Sequence, residues 1–123
     1  MEPFLTSQPI YMQLADLLKK QIVRGQLRPG DKLPSVRELA IQYTVNPNTV
    51  QRTYRELEQD GVVEVRRGQG TFVIRDDGIT HRLRETLKQE YVTTFVQHMR
   101  EMGFSLQEVK ESMQRMWEEE FDD

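Results

Sequence analysis

The chain has no cysteine among its 123 residues, only one tryptophan and no long apolar run. The absence of cysteine excludes disulfides, thiolate metal sites and cysteine nucleophiles, and it is typical of a reducing compartment. No stretch approaches the ~18 consecutive apolar residues of a transmembrane helix. The opening residues MEPFLTSQ also lack the charged start and apolar core of a signal peptide. We therefore expect a soluble, cytoplasmic protein with no membrane partner.

Charge is distributed unevenly along the chain, although its net value is only −3. Residues 1–75 hold 11 Lys and Arg against 8 Asp and Glu, which gives +3. Residues 76–123 hold 6 against 12, which gives −6. An asymmetry of this kind indicates a part that faces nucleic acid joined to an acidic part. The length suits one domain, or one small domain with an appendage, and does not favour a large enzyme core.

Two helices are predicted in the first part of the chain. Apolar residues at helical spacing predict the first over 9–24, between a proline and a glycine. A turn follows at 28–31, where proline and glycine occupy the positions that a type II turn favours. Ser35 and Glu38 then have the spacing of a capping box and predict a short second helix over 36–43.

A third helix follows almost at once. Asn46 suits its N-cap and Pro47 its first helical position. Because only Thr44 and Val45 separate the second helix from this start, the two helices form a helix-turn-helix.

The third helix is predicted to expose polar and basic side chains near its start. Val50, Tyr54 and Leu57 recur at helical spacing and mark its buried face. The other face carries side chains that can pair with base edges in a major groove: Asn48, Thr49, Gln51, Arg52 and Arg55.

The alternative is an ordinary solvated face that happens to be basic. Against it, the acids Glu56, Glu58 and Asp60 all lie toward the far end of the helix. Acids usually favour the first turn because of the helix dipole. A start free of negative charge is what a phosphate-facing helix requires.

Two strands are predicted over 62–66 and 71–75, joined by a glycine-containing tip. The tip can be an ordinary hairpin. Directly after a helix-turn-helix it becomes a wing, on which Arg66 and Arg67 can reach phosphates or a minor groove and Gly68 permits close backbone approach.

Four motifs follow one another along residues 9–74: PIY at 9–11, LPSVRELA at 33–40, NPNTV at 46–50 and RGQGTFV at 67–73. Together they resemble the winged helix-turn-helix domain of GntR-type transcriptional regulators. The NPNTV opening and the short tail are similar to the YtrA-like subfamily in particular.

The resemblance implies a homodimeric, sequence-specific DNA-binding repressor of its own operon and of adjacent transporter genes. Pro47 and Gln51 stand where many relatives carry arginine, so the base preference of the family is not transferred, and Arg52 is expected to take part of the contact. Carried over position by position, the family's DNA contacts fall on Arg37, Asn46, Asn48, Thr49, Gln51 and Gly68.

The acidic tail is predicted to form two amphipathic helices. The first starts near Ile79 and ends at Gly103, and Ser105 with Glu108 forms a capping box for the second. Their apolar stripes have little else to pack on in one chain, so we predict a homodimer with operator half-sites about one turn apart, roughly 10 base pairs or a multiple. The residues expected at the dimer interface are Leu83, Leu87, Tyr91, Phe95, Met99, Val109, Met113 and Trp117.

The predicted fold class is therefore α+β and mostly helical, with a DNA-binding domain over 1–76 and a dimerisation tail over 77–123. A winged helix used for protein contact stays open as an alternative, and so does a small effector pocket, for which no polar constellation speaks. His81 and His98 stand seventeen positions apart, which does not suit a shared metal site, so neither a metal nor another cofactor is expected. No nucleophile, base and electrophile can be assembled, and an enzyme is the least favoured hypothesis.

Overall fold

A computed structural model describes residues 8–121, and the side-chain surroundings of residues 8–120. It is mostly helical with one two-stranded sheet, which confirms the predicted fold class. A single π-helical turn, Trp117–Phe121, follows the last α-helix. In chain order the elements are α1 (Ile10–Val23), α2 (Val36–Tyr43), α3 (Pro47–Gln59), β1 (Val63–Arg66), β2 (Gly70–Val73), α4 (Ile79–Glu101) and α5 (Leu106–Met116).

The helix starts lie where local sequence predicts them. At α2 the Ser35 hydroxyl accepts a bond from the Glu38 amide at 3.1 Å, and the Glu38 carboxylate accepts one from the Ser35 amide at 2.9 Å. Ser105 and Glu108 repeat this capping box at α5. These side chains satisfy amides that the first turn of a helix would otherwise leave without a partner.

The core of the N-terminal part is built on α3, which packs against both α1 and α2. One apolar face of each helix is buried because its residues recur at helical spacing. The largest fully buried side chains are Leu14, Leu18, Ile22, Leu39, Val50, Leu57, Val63 and Val73, with Thr53 as the one polar member of this set among the described residues.

The hairpin pairs β1 with β2 in antiparallel register, with Val63 opposite Val73 and Arg66 opposite Gly70. The second strand begins one residue earlier than predicted and ends at Val73. An isolated bridge between Lys32 and Phe72 attaches the segment before α2 to the outer edge of β2. The wing is therefore held to the start of the helix-turn-helix by backbone bonds, which the sequence pattern did not predict.

The chain divides into two units, the first ending at Arg84 and the second beginning at Glu85. This division lies inside α4, beyond the boundary predicted after residue 76. Ile79 and Leu83 are buried and belong to the first unit. Within the described residues, no helix combines the length and apolarity needed to cross a membrane.

Candidate nucleic-acid interface

The turn between α2 and α3 is set by an unusual backbone conformation at Thr44. Its φ of 55° lies in the left-handed region, where a β-branched residue is strained. The next amide, that of Val45, donates to the Ala40 carbonyl at 3.0 Å and closes the turn. Asn46 then caps α3, because its side-chain oxygen accepts a bond from the Asn48 amide at 2.8 Å.

Two polar side chains anchor the buried face of α3. The hydroxyl of Thr53 lies 2.9 Å from the Tyr11 carbonyl and 3.1 Å from the Thr49 carbonyl, and can donate to either. The Tyr54 hydroxyl donates to the Pro34 carbonyl at 2.6 Å. Burial, and after it the charge of Glu38, raises the pKa of Tyr54 well above its ordinary value. Helical spacing predicts Tyr54 on the buried face of α3, which the structure confirms, but it does not distinguish Thr53.

The opposite face of α3 is open to solvent and carries the predicted base-pairing side chains. Asn48, Gln51, Arg52 and Arg55 are exposed, and Thr49 is half-buried. Asn46 is exposed too, with its oxygen engaged in the cap and its amide NH₂ available as a donor. The structure thus gathers six predicted residues on or beside one face of a helix.

Negative charge is kept away from the start of α3. Its first turn contains no acidic residue. At the other end, Asp60 forms an ion pair with Lys19 of α1 at 3.0 Å. The positive end of the helix dipole is therefore left without a local carboxylate, as an anion-binding helix start needs.

Arg52 differs from the other exposed residues of α3 because it rests on an aromatic ring. Its guanidinium carbon lies 3.9 Å from the centre of the Tyr11 ring, near the start of α1. This distance is that of a cation–π contact. Tyr11 belongs to the PIY motif at 9–11, but nothing in the local pattern of either helix predicts a contact between residues 41 positions apart.

Arg37 is exposed in the first turn of α2, immediately before the capping carboxylate of Glu38. Hydrogen bonds from the Ser35 amide and hydroxyl, with the nearby charge of Lys32, lower the pKa of Glu38. The carboxylate is thus held in its charged form by the cap.

The two arginines of the wing have different surroundings. Arg66 turns back along the hairpin, with its guanidinium 2.9 Å from a Glu64 oxygen and 4.0 Å from the centre of the Phe72 ring. Arg67 is exposed and, within residues 8–121, forms no ion pair. Beside it, Gly68 has a φ of 74° and open space where a Cβ would stand.

A groove of about 430 Å³ lies between the start of α2 and the wing. Lys32 and Arg66 supply its cations. Gly70 shapes its floor, since a Cβ added there would lie 2.9 Å from the Lys32 side chain, and its φ is 124°. Backbone at such a φ is tolerated by glycine and strained in other residues.

The predicted dimerisation residues fall into three groups by burial. Leu83 and Leu87 are already buried in the single chain, and Met99 and Val109 are half-buried. The exposed ones are Tyr91, Phe95, Met113 and Trp117.

In the second unit, an apolar groove of about 260 Å³ runs between α4 and α5. Phe95, Met99, Val109 and Met113 line it together with Phe104 and Met116. Within the described residues, no group of three or more His, Asp or Glu side chains is arranged to hold a metal ion.

Comparison with known proteins identifies the fold. Residues 10–73 match the bacterial regulatory proteins of the gntR family. The chain is 50% identical over 115 residues to the uncharacterized HTH-type transcriptional regulator YhcF of Bacillus subtilis, a match covering 94% of this chain and 95% of that protein. It is 43% identical over 90 residues to the HTH-type transcriptional repressor YtrA of the same organism, covering 68% and 69% respectively.

Solved structures agree. A GntR family transcriptional regulator from Listeria monocytogenes superposes with a TM-score of 0.83 at 33% identity, over 91% of this chain and 98% of that one. The DNA-binding domain of AraR, in complex with its operator ORR3, matches with a TM-score of 0.53 at 29% identity, over 55% and 82%. The chain therefore belongs to the GntR family of DNA-binding transcriptional regulators, and its N-terminal part is the winged helix-turn-helix of that family.

Proposed function

We propose that the protein is a homodimeric repressor that binds a two-fold symmetric DNA operator, with α3 in the major groove and the wing beside it. The observation that carries this proposal is the exposed face of α3. Four neighbouring side chains on it, Asn48, Gln51, Arg52 and Arg55, are free of the core. The first turn of α3 contains no carboxylate that would repel a phosphate.

The chemistry of this face suits base recognition. The side-chain amide of Asn48 or Gln51 can form two hydrogen bonds with an adenine. The guanidinium of Arg52 or Arg55 can form two with a guanine. Thr49 can contact a thymine methyl group. The proposal therefore assigns sequence reading to the start of α3.

Phosphate contacts are assigned to the residues around this face. Arg37 is exposed at the start of α2 and Arg67 at the wing tip, where Gly68 leaves room for a DNA backbone. Lys32 lines the groove between them. Contacts of this kind fix the position of a protein on the duplex without reading its sequence.

The second unit supports assembly into a dimer. Its two α-helices and the π-helical turn that follows them expose large apolar side chains, with Phe95 38% and Trp117 71% exposed. A second copy presents the same surface and would cover both. In this proposal residues 1–76 bind DNA and residues 77–123 dimerise.

Repression is the regulatory direction we propose, by occlusion of a promoter. The relative YtrA carries the name of a repressor and is 43% identical to this chain. As targets we propose the protein's own operon and an adjacent transporter gene, as the family resemblance implies.

The test compares two DNA fragments of equal length, one from the protein's own upstream region and one with a scrambled sequence. Fluorescence anisotropy measures the affinity of the full chain for each fragment at several salt concentrations. We expect a preference of ~1000-fold or more and a steep fall in affinity with salt. Sedimentation of the free protein in the same buffer should give a dimer.

Equal affinity for both fragments would contradict sequence-specific recognition of that region. Absence of binding even at low salt would favour a winged helix used for protein contact. A specific complex of one protein chain per DNA would retain base reading and remove the dimer.

A further inference from the structure

We propose that Tyr11 is a positioning residue for DNA recognition, which holds the Arg52 guanidinium in the orientation that reads one base pair. The inference rests on the proposed function, because it assumes that α3 reads bases. It adds to the recognition surface a residue from α1, an element outside the helix-turn-helix.

Position on the helix separates Arg52 from its neighbours. Val50, Thr53 and Leu57 define the buried side of α3. Arg52 precedes Thr53 directly and therefore leans toward the flank of α3 that Thr53 joins to α1. Arg55 is exposed as well, and within the described residues no aromatic ring lies over it.

The backbone of Tyr11 is anchored to α3. The fully buried Thr53 hydroxyl lies 2.9 Å from the Tyr11 carbonyl, so α1 and α3 are joined at this residue. The ring is half-buried, and the Arg52 guanidinium lies 3.9 Å from its centre. One residue thus contributes its main chain to the packing of α3 and its side chain to the surface of α3.

A ring beneath the guanidinium leaves its donors available. The N–H groups of arginine point outward in the plane of the guanidinium, and an aromatic ring covers only the face of that plane. Bidentate pairing with guanine uses two donors on one edge. Contact with Tyr11 is therefore compatible with a bidentate contact between Arg52 and a base. It also restricts the rotamers of Arg52 before DNA binds, which lowers the entropy cost of binding.

The experiment is selection of binding sites from a randomised duplex DNA library by the full-length protein, followed by sequencing. Four variants are compared with the parent: Tyr11→Leu, Tyr11→Phe, Arg52→Ala, and the double variant Tyr11→Leu with Arg52→Ala. Arg55→Ala serves as a matched control, since no ring lies over that arginine in the part of the chain that the structure describes. Thermal unfolding of each variant verifies that it is folded.

We expect Arg52→Ala to remove preference at one base pair of each half-site, and Tyr11→Leu to weaken preference at the same base pair by about 3- to 10-fold. Tyr11→Phe keeps the ring and should keep the preference. The double variant should match Arg52→Ala. The base pair whose preference depends on Arg55 should be unaffected by Tyr11→Leu.

An unchanged profile for folded Tyr11→Leu, or a loss spread evenly over all positions, would overturn the inference and leave base reading by α3 intact. An additive effect in the double variant would overturn it as well. If the parent protein itself enriches no motif, the proposed function fails, and the inference fails with it. The two failures are therefore distinguishable.

Discussion

At the scale of single residues, the two neighbouring arginines of the wing have different surroundings. Arg66 is occupied by Glu64 and by the Phe72 ring, whereas Arg67 is exposed at the tip. A guanidinium already paired within the protein releases fewer DNA counterions when it approaches a phosphate. The wing thus contributes one free cation at its tip and one that stabilises the hairpin.

Arg67→Ala should weaken binding to specific and scrambled DNA by a similar factor. Because one phosphate contact is lost, the slope of log affinity against log salt should fall by about 0.9. Anisotropy titrations at several salt concentrations measure both quantities, and Arg66→Ala is the matched comparison, for which we expect a smaller change in slope. A loss confined to the specific fragment would assign Arg67 to base reading instead.

Tyr54 gives a pH-dependent prediction. Its buried phenol donates to the Pro34 carbonyl, and burial followed by the Glu38 charge raises its pKa above the ordinary 10.0. The unfolded chain therefore loses this proton at a lower pH than the folded chain. The stability that follows from the raised pKa is fully present below pH ~10 and is lost as pH rises above it.

We expect Tyr54→Phe to lower the free energy of unfolding by about 1 kcal/mol at neutral pH, through loss of the hydrogen bond. Above pH ~10 the gap between the parent and the variant should narrow, because only the parent carries the phenol. Urea unfolding across the alkaline range measures this gap. Parallel curves for the two proteins would contradict a raised pKa.

At the scale of elements, matching capping boxes start α2 and α5, one in each unit. Ser35→Ala should lower the free energy of unfolding by about 1 kcal/mol. It should also speed hydrogen exchange at the Glu38 amide, which loses its bond to the hydroxyl. Ser105→Ala is the control and should act on the Glu108 amide alone. Unchanged exchange at Glu38 in Ser35→Ala would show that the cap contributes nothing to this turn.

The same elements show how far the sequence alone could lead. Helix starts were predictable because capping joins residues only three positions apart, as in Ser35 and Glu38. The contact between Tyr11 and Arg52 and the bond from Thr53 to Tyr11 join residues 41 and 42 positions apart. Periodicity identifies which face of a helix is buried, but it does not say which distant ring or carbonyl that helix will meet.

The same limit applies to the tail and the wing. One apolar stripe continues along α4 from Leu83 to Met99, and periodicity alone predicts that all of it lies at the dimer interface. In the structure Leu83 and Leu87 are buried, whereas Phe95 is exposed. At the wing, the different surroundings of Arg66 and Arg67 depend on Glu64 and Phe72, which lie opposite each other in the register of the hairpin. The sequence is enough to name candidate residues, but only the folded structure shows which of them are buried, paired or exposed.

At the scale of the whole molecule, charge and apolar surface are separated along the chain. Residues 1–75 carry +3 and the remainder −6. A basic DNA-facing part is attracted to phosphate, and an acidic tail is repelled from it. The exposed apolar side chains of α4 and α5 therefore lie in the acidic part of the chain, which DNA repels. That arrangement suits a tail whose partner is another protein surface, and a second copy is the partner we propose.

Phe95→Glu tests this partner directly. A carboxylate at this position would be buried in the proposed interface, which costs far more than a charge on the surface. We expect the variant to sediment as a monomer at micromolar concentration, where the parent is a dimer. Its affinity for a full operator should fall steeply, while its affinity for a single half-site should match that of the parent.

The control is Thr94→Glu, which adds the same charge on the polar face of α4 shared with Glu85, Thr86, Gln89, Glu90 and Thr93. It should remain dimeric and bind the full operator normally. A dimeric Phe95→Glu would show that the exposed apolar face is not the dimer interface. A monomeric Phe95→Glu that still binds the full operator with parental affinity would show that dimerisation through the tail is not what joins two recognition helices on DNA.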